Sequence, residues 1–201
     1  MMTASMLQHD TRISTAHLAA RAVKACIILC LGMLLAGCLQ SKVPLSPLAA
    51  LAPANPLVGD WIYEKQGETG TVHIGNEDGT AKLISVERDS DGTIKSEDFK
   101  FAATTIDGKN YMSVEIPDAD TVLYILLQYR ITDNKRLTLR AANIPFVADA
   151  IQRGLISGTA NPKSVAPNAM LSADTDALQR FVTQYDKQLF TEDLVTYHRA
   201  H

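Results

Sequence analysis

The chain has 201 residues, 46% hydrophobic and 20% charged, with 19 Lys+Arg against 22 Asp+Glu and a formal net charge of −3. The slight acidic balance excludes nucleic-acid or anionic-membrane binding through a broad basic patch. Three cysteines, Cys26, Cys30 and Cys38, are too few for a disulfide framework, so any folded domain must rest on its core.

A basic lead opens the chain. Arg12, Arg21 and Lys24 face a single acid, Asp10, and an apolar run follows over residues 25–36 before Gly37 and Cys38. A basic lead, an apolar core of roughly 7–15 residues and small residues at its end describe a secretory signal peptide. The run is shorter than the about 20 apolar residues that a spanning helix needs, so cleavage is expected over a permanent span. Leu35-Ala36-Gly37-Cys38 resembles the lipobox of bacterial lipoproteins. That resemblance implies cleavage before Cys38, a diacylglycerol on its thiol and an acylated new amine, making Cys38 the anchor. Several acyl chains hold a protein on a bilayer where one does so only marginally. Leu39, not Asp, follows the cysteine. In a Gram-negative host this resembles sorting to the outer membrane, with the domain facing the periplasm. Without residues 1–37 the chain is long enough for one domain, and 16 Lys+Arg stand against 21 Asp+Glu, net −5. Attachment is therefore expected through lipid, not charge.

Residues 39–56 are rich in Ala, Pro and Leu, with Pro44, Pro47, Pro53 and Pro56. Proline disfavours helix and removes backbone donors, so these residues read as an extended tether. From residue 57 short β-runs alternate with turns. Residues 60–65 carry Trp61, Ile62 and Tyr63; residues 71–75 carry Val72 and Ile74; residues 80–88 carry Leu83, Ile84 and Val86. Phe99, Phe101 and Ala103 then share one face, as do Met112, Val114 and Ile116 in residues 109–116. This is the period of two of a strand. Turns are written in Asp78-Gly79, Asp91-Gly92, Asp107-Gly108 and Asp133-Asn134. Residues 122–131 form the strongest strand. Leu123, Ile125, Leu127, Tyr129 and Ile131 make one apolar face, and Val122, Tyr124 and Leu126 begin the other. That face turns polar at Gln128 and Arg130, which predicts a central strand covered on both sides over its first half. Leu137 and Leu139 align in residues 135–142.

Asn143-Ile144-Pro145 opens a helix in which Phe146, Val147, Ala150 and Ile151 keep helical spacing up to Gly154. Residues 155–160 read as a short strand, and 161–170, with Pro162 and Pro167, as a loop. Ser172 or Asp174 caps a second helix, whose Leu178, Phe181, Val182 and Tyr185 make a core-packing stripe. Residues 191–201 read as a polar, frayed tail. The expected fold is mainly β: an antiparallel meander of seven to eight strands, a barrel or strongly curved sheet, with two short C-terminal helices. The expected domain covers residues 57–190. About eight strands closed into a barrel leave an interior that side chains fill or that holds one small ligand.

Leu57-Val58-Gly59-Asp60-Trp61 resembles the Gly-x-Trp opening of lipocalins and related calycin-like domains. The resemblance implies a barrel plugged at one end by Trp61, with an apolar ligand inside. Trp61, Phe99, Phe101 and Tyr124 are then the candidate ligand-binding residues. A helix ahead of the last strand departs from that family's order. The chain as a whole is also similar to bacterial lipoproteins built as signal, linker and small β domain.

Residues 87–98 put Glu87, Asp89, Asp91 and Gly92 in partial register with a calcium loop. Lys95 occupies a ligand position, Asp98 is short for the closing one, and the flanks read as strands, so hairpin turns explain the pattern better. His73 stands alone on its face, and His198 and His201 lie in the tail. No Gly-x-Ser-x-Gly elbow, His-Glu-x-x-His helix or glycine-rich phosphate loop is present. No catalytic residue, metal or cofactor is nominated. The expectation is a non-catalytic lipoprotein, membrane-bound through Cys38, whose β domain takes an apolar or amphipathic small molecule. The alternative is a structural protein with a filled core that holds an envelope protein by its surface.

Overall fold

The computed structural model describes residues 39–65, 68–88, 92–118, 121–163 and 167–200. Residues 1–38, which hold the expected signal peptide and the expected anchor Cys38, lie outside the described residues, as do Asp89-Ser90-Asp91 and His201. A short β1 (Leu39–Ser41) precedes β2 (Gly59–Lys65), β3 (Glu68–Glu77), β4 (Thr80–Arg88), β5 (Ile94–Ile106), β6 (Lys109–Asp118), β7 (Thr121–Thr132) and β8 (Arg136–Ala142). Helix α1 (Ile144–Gln152), β9 (Gly158–Asn161), β10 (Asn168–Leu171), helix α2 (Thr175–Leu189) and β11 (Phe190–Arg199) follow.

Turn chemistry drives the meander. Asp78-Gly79, Asp107-Gly108 and Asp133-Asn134 have φ of 50° and 75°, 55° and 73°, and 53° and 51°. Two successive positive φ values give the tight hairpin turn whose twist matches the flanking strands. Strands β2 to β8 pair antiparallel in chain order, and β11 enters between β8 and β2 to close an eight-stranded barrel. The expected tail is thus corrected: residues 191–199 belong to the strand that seals the wall. Its alternation is hidden because the register shifts between Phe190 and Glu192 and again between Asp193 and Val195. Each bulge moves the next side chain to the other face.

The barrel also carries a three-stranded flap. Residues 128–132 of β7 pair with β8, whereas Tyr124 and Ile125 pair with β1. Strand β1 runs parallel to β10, and β10 antiparallel to β9. Residues 168–171, expected in a loop, are therefore a strand whose partner is the start of the described chain.

Two apolar sets divide along the strand parity. Trp61, Ile74, Phe101, Met112, Leu127 and Leu137 point inward and are buried. On the other face of β6 and β7, Tyr111 and Leu126 pack with Val147, Leu178, Phe181, Val182 and Phe190 beneath the two helices. Asn143 caps α1 through Phe146 N (3.2 Å), and Asp174 caps α2 through Ala177 N (2.8 Å). These side-chain acceptors satisfy donors that a helix start leaves unpaired.

The expected free tether is also corrected. Leu39, Leu45, Leu51 and Leu57 recur at every sixth residue and are all buried. Extended backbone repeats its direction every second or third residue, so every sixth side chain falls on one side. Polar bonds fix the strap's course: Leu45 N donates to Ser113 Oγ (3.0 Å), Ala81 N to Ala49 O (3.0 Å) and Leu51 N to Asn76 Oδ1 (2.7 Å). Gln179 Nε2 and Thr175 Oγ1 on α2 donate to Leu45 O (2.6 Å) and Pro44 O (3.2 Å). Leu45→Ala is expected to cost about 2–4 kcal/mol of unfolding free energy by chemical denaturation. A dangling tether would show no change.

Candidate functional site

The barrel lumen is the candidate site, and its floor is built around Trp61. The indole Nε1 donates to Leu57 O at 2.8 Å, satisfying the one polar atom of a fully buried ring. The Arg199 guanidinium lies 4.3 Å from the ring centroid, a cation–π arrangement. Its Nε donates to Asn134 O (2.7 Å), Nη1 to Val58 O (2.9 Å) and Nη2 to Pro56 O (2.6 Å). Gly59, at φ 130°, gives the guanidinium room: a Cβ there would stand 2.6 Å from Nη1. Strap, first wall strand and last wall strand are stitched together at this floor.

The inward apolar residues are buried throughout, with small differences that do not follow height: Leu127 keeps 8% and its cross-strand partner Met112 1%. Trp61, Ile74, Ala81 and Phe101 are 0% exposed, whereas Leu123, Ile125, Leu127 and Leu139 keep 6%, 7%, 8% and 8%. Phe99, Ser85, Glu87 and Tyr63, on the same inward parity, are half-buried. Tyr63 Oη donates to Glu87 Oε1 at 2.9 Å, and its ring meets that of Tyr197 edge-on with centroids 5.5 Å apart. Gly70 makes space for Tyr63, since a Cβ there would fall 2.2 Å from the ring. The inward face thus runs from an apolar floor to an end carrying a carboxyl group and two phenols. Such a gradient suits a molecule with an apolar body and a polar end.

Burial pushes the Tyr129 phenol up to about 12, and burial plus the nearby Glu87 charge does the same for Tyr197. In the unfolded chain both ionise near their ordinary value of about 10. The folded state therefore keeps its full advantage below about pH 10 and loses it as pH rises towards 12. Melting temperatures measured between pH 9 and 11.5 are expected to fall, and less steeply in Tyr129→Phe.

Of the expected ligand residues, Trp61 and Phe101 form the floor and Phe99 stands above them, all on the inward face. Tyr124 is corrected. It lies on the outward face of β7, packed with the cluster under strap and helices, where burial raises its phenol. Even-numbered positions of β7 face outward, so Tyr124 cannot share a lumen with Ile125. Tyr63 was legible as the residue two beyond Trp61. Glu87 was hidden by the calcium-like pattern, and Tyr197 and Arg199 by the bulges. Glu87 points inward, whereas Asp98 points outward to Lys82 (3.0 Å), so the two ends of that pattern face opposite sides of the wall. His73 Nδ1 pairs with Asp60 Oδ1 at 2.6 Å on the exposed outer face. Among the described residues no three His, Cys, Asp or Glu side chains converge on a metal-sized site. An open groove of about 450 Å³ beside α2, lined by Ile106, Asp176, Gln179 and Arg180, is shallow and polar-edged.

No family model matches the sequence, and no curated protein matches it. Among solved structures, a DUF4909 family protein from Staphylococcus aureus is similar over 72% of this chain and 96% of its own, at 11% identity and a TM-score of 0.38. Likeness of that degree assigns neither family nor function.

Proposed function

We propose that this chain is a lipid-anchored envelope lipoprotein, non-catalytic, whose lipocalin-like barrel takes an apolar or amphipathic small molecule. The observation that carries the reading is the apolar inward face, from Trp61 and Phe101 to Leu127 and Leu139, with Glu87 and Tyr63 as a polar pair towards one end. Anchoring rests on the Leu35-Ala36-Gly37-Cys38 sequence, with the outer membrane as destination in a Gram-negative host.

Titration with N-phenyl-1-naphthylamine, an apolar fluorophore, tests the reading. Saturable one-to-one binding is expected, weakened at least tenfold in Ile125→Trp and Leu139→Trp, each of which fills the lumen. Binding that neither substitution alters, or no saturable binding, would sink it. The surface-partner alternative would then gain from Ile62, Val86 and Ile94. These are 41%, 38% and 58% exposed on the outer face of neighbouring strands.

A further inference from the structure

The strap has a consequence for how the barrel meets a membrane. Leu39, one residue past the expected acylation point, is 0% exposed and already in the sheet. Leu39 is opposite Ala169 on β10, and Gln40 opposite Ile125 on β7. Ser41, next along, is also 0% exposed, and Lys42 N donates to Leu171 O at 3.1 Å. Pairing on both sides leaves this stretch no freedom to act as a spacer. Adjacent Cα atoms are about 3.8 Å apart, so an anchor on residue 38 holds the sheet at that range instead of at tens of Å.

We propose that the anchor is rooted in the sheet, so that the barrel rides against the bilayer on the edge formed by the start of β1 and the facing ends of β9 and β10. This rests on Cys38 as the acylated residue. The parallel register of β1 with β10, and the pairing of Asn168 with Asn161, put the start of β1 level with Asn161 and Asn168. Asn161, Pro162 and Lys163 are exposed there. Amides and one ammonium suit a phosphate- and glycerol-rich headgroup layer, and among the described residues no large exposed apolar side chain stands at this edge. The occupant of the edge is a lipid surface.

Energy transfer to labelled lipid tests the claim. Cys26 and Cys30 leave with the leader and the Cys38 thiol is blocked by lipid, so an introduced cysteine is the only free thiol in the mature protein. Acylated protein carrying Lys163→Cys or His73→Cys, each with a donor dye, is placed in phosphatidylethanolamine–phosphatidylglycerol vesicles containing rhodamine lipid. His73 is exposed on β3, half-way round the ring from β7. Transfer from residue 163 is expected to exceed that from residue 73 severalfold. A Gly/Ser spacer of about twelve residues between Cys38 and Leu39 should erase the difference without moving the melting temperature. Acylated protein with equal transfer from both sites, or with transfer indifferent to the spacer, overturns the rooted edge alone. Absence of acyl mass on residue 38 by mass spectrometry overturns the anchoring reading and the rooted edge with it.

Discussion

A chain ending at Leu189 is expected to show no cooperative thermal transition, although it loses only twelve residues. Strand β11 pairs with β8 from Phe190 to His198 and with β2 at Trp61 and Ile62. Its removal strands the backbone groups of β8 and opens an edge on β2. Each lost hydrogen bond is worth about 0.5–1.5 kcal/mol net. Arg199 leaves at the same time, so Pro56, Val58 and Asn134 lose a shared donor and Trp61 its cover. Phe190, buried against Tyr111, goes as well. The sum exceeds the about 5–15 kcal/mol that separates a folded domain from its unfolded chain. Circular dichroism on heating decides the point. Cutting after Arg199 serves as control and should leave the transition intact. A protein ending at residue 189 that melts like the full chain would mean that the barrel does not need its eighth strand.

Asp186→Ala is expected to destabilise by about 3–5 kcal/mol, far more than an ordinary helix substitution. Asp186, 6% exposed on α2, accepts from Tyr111 Oη (2.6 Å), Lys109 Nζ (2.6 Å) and Gln128 Nε2. Gln128 passes the network on by accepting from Arg140 Nη1 at 2.7 Å. One carboxylate thus ties α2 to β6, β7 and, through Gln128, to β8. Lys109, partly exposed, can turn to water when the carboxylate goes. Tyr111 and Gln128 cannot, and a buried donor without an acceptor carries its full desolvation cost. Burial first, and then the Asp186 hydrogen bond and charge, hold the Tyr111 phenol well above its ordinary range, as expected of a donor locked to a carboxylate. Asp186→Asn keeps the shape and one acceptor, so its loss in denaturant titration should be clearly smaller. Equal losses for Ala and Asn would mean that the charge, not the hydrogen-bond geometry, holds the helix.

Much of the wall was legible because its signals are local. Asp-Gly and Asp-Asn pairs mark the hairpins, period-two runs mark the strands, and Asn143 and Asp174 mark the helix starts. The two-faced apolar pattern of β7 foretold its place between lumen and helices. What escaped depends on distant partners. Proline-rich composition reads as a free linker unless the sixfold spacing of Leu39, Leu45, Leu51 and Leu57 is weighed, and only the barrel supplies the surface they cover. Residues 168–171 are too short to declare themselves without β1 beside them. The bulges of β11 cancel the alternation that would have revealed it. The site follows the same division. Parity put Trp61, Phe99 and Phe101 together, and parity applied to β7 would have placed Tyr124 outside.

Arg199 reaches back to Pro56 and Val58, 143 and 141 positions earlier. Contacts so remote in sequence charge the chain with loop-closure entropy before returning any stabilisation, which places such topologies among slow folders, about milliseconds to seconds. The wall stays open until its closing strand, Phe190–Arg199, is in place.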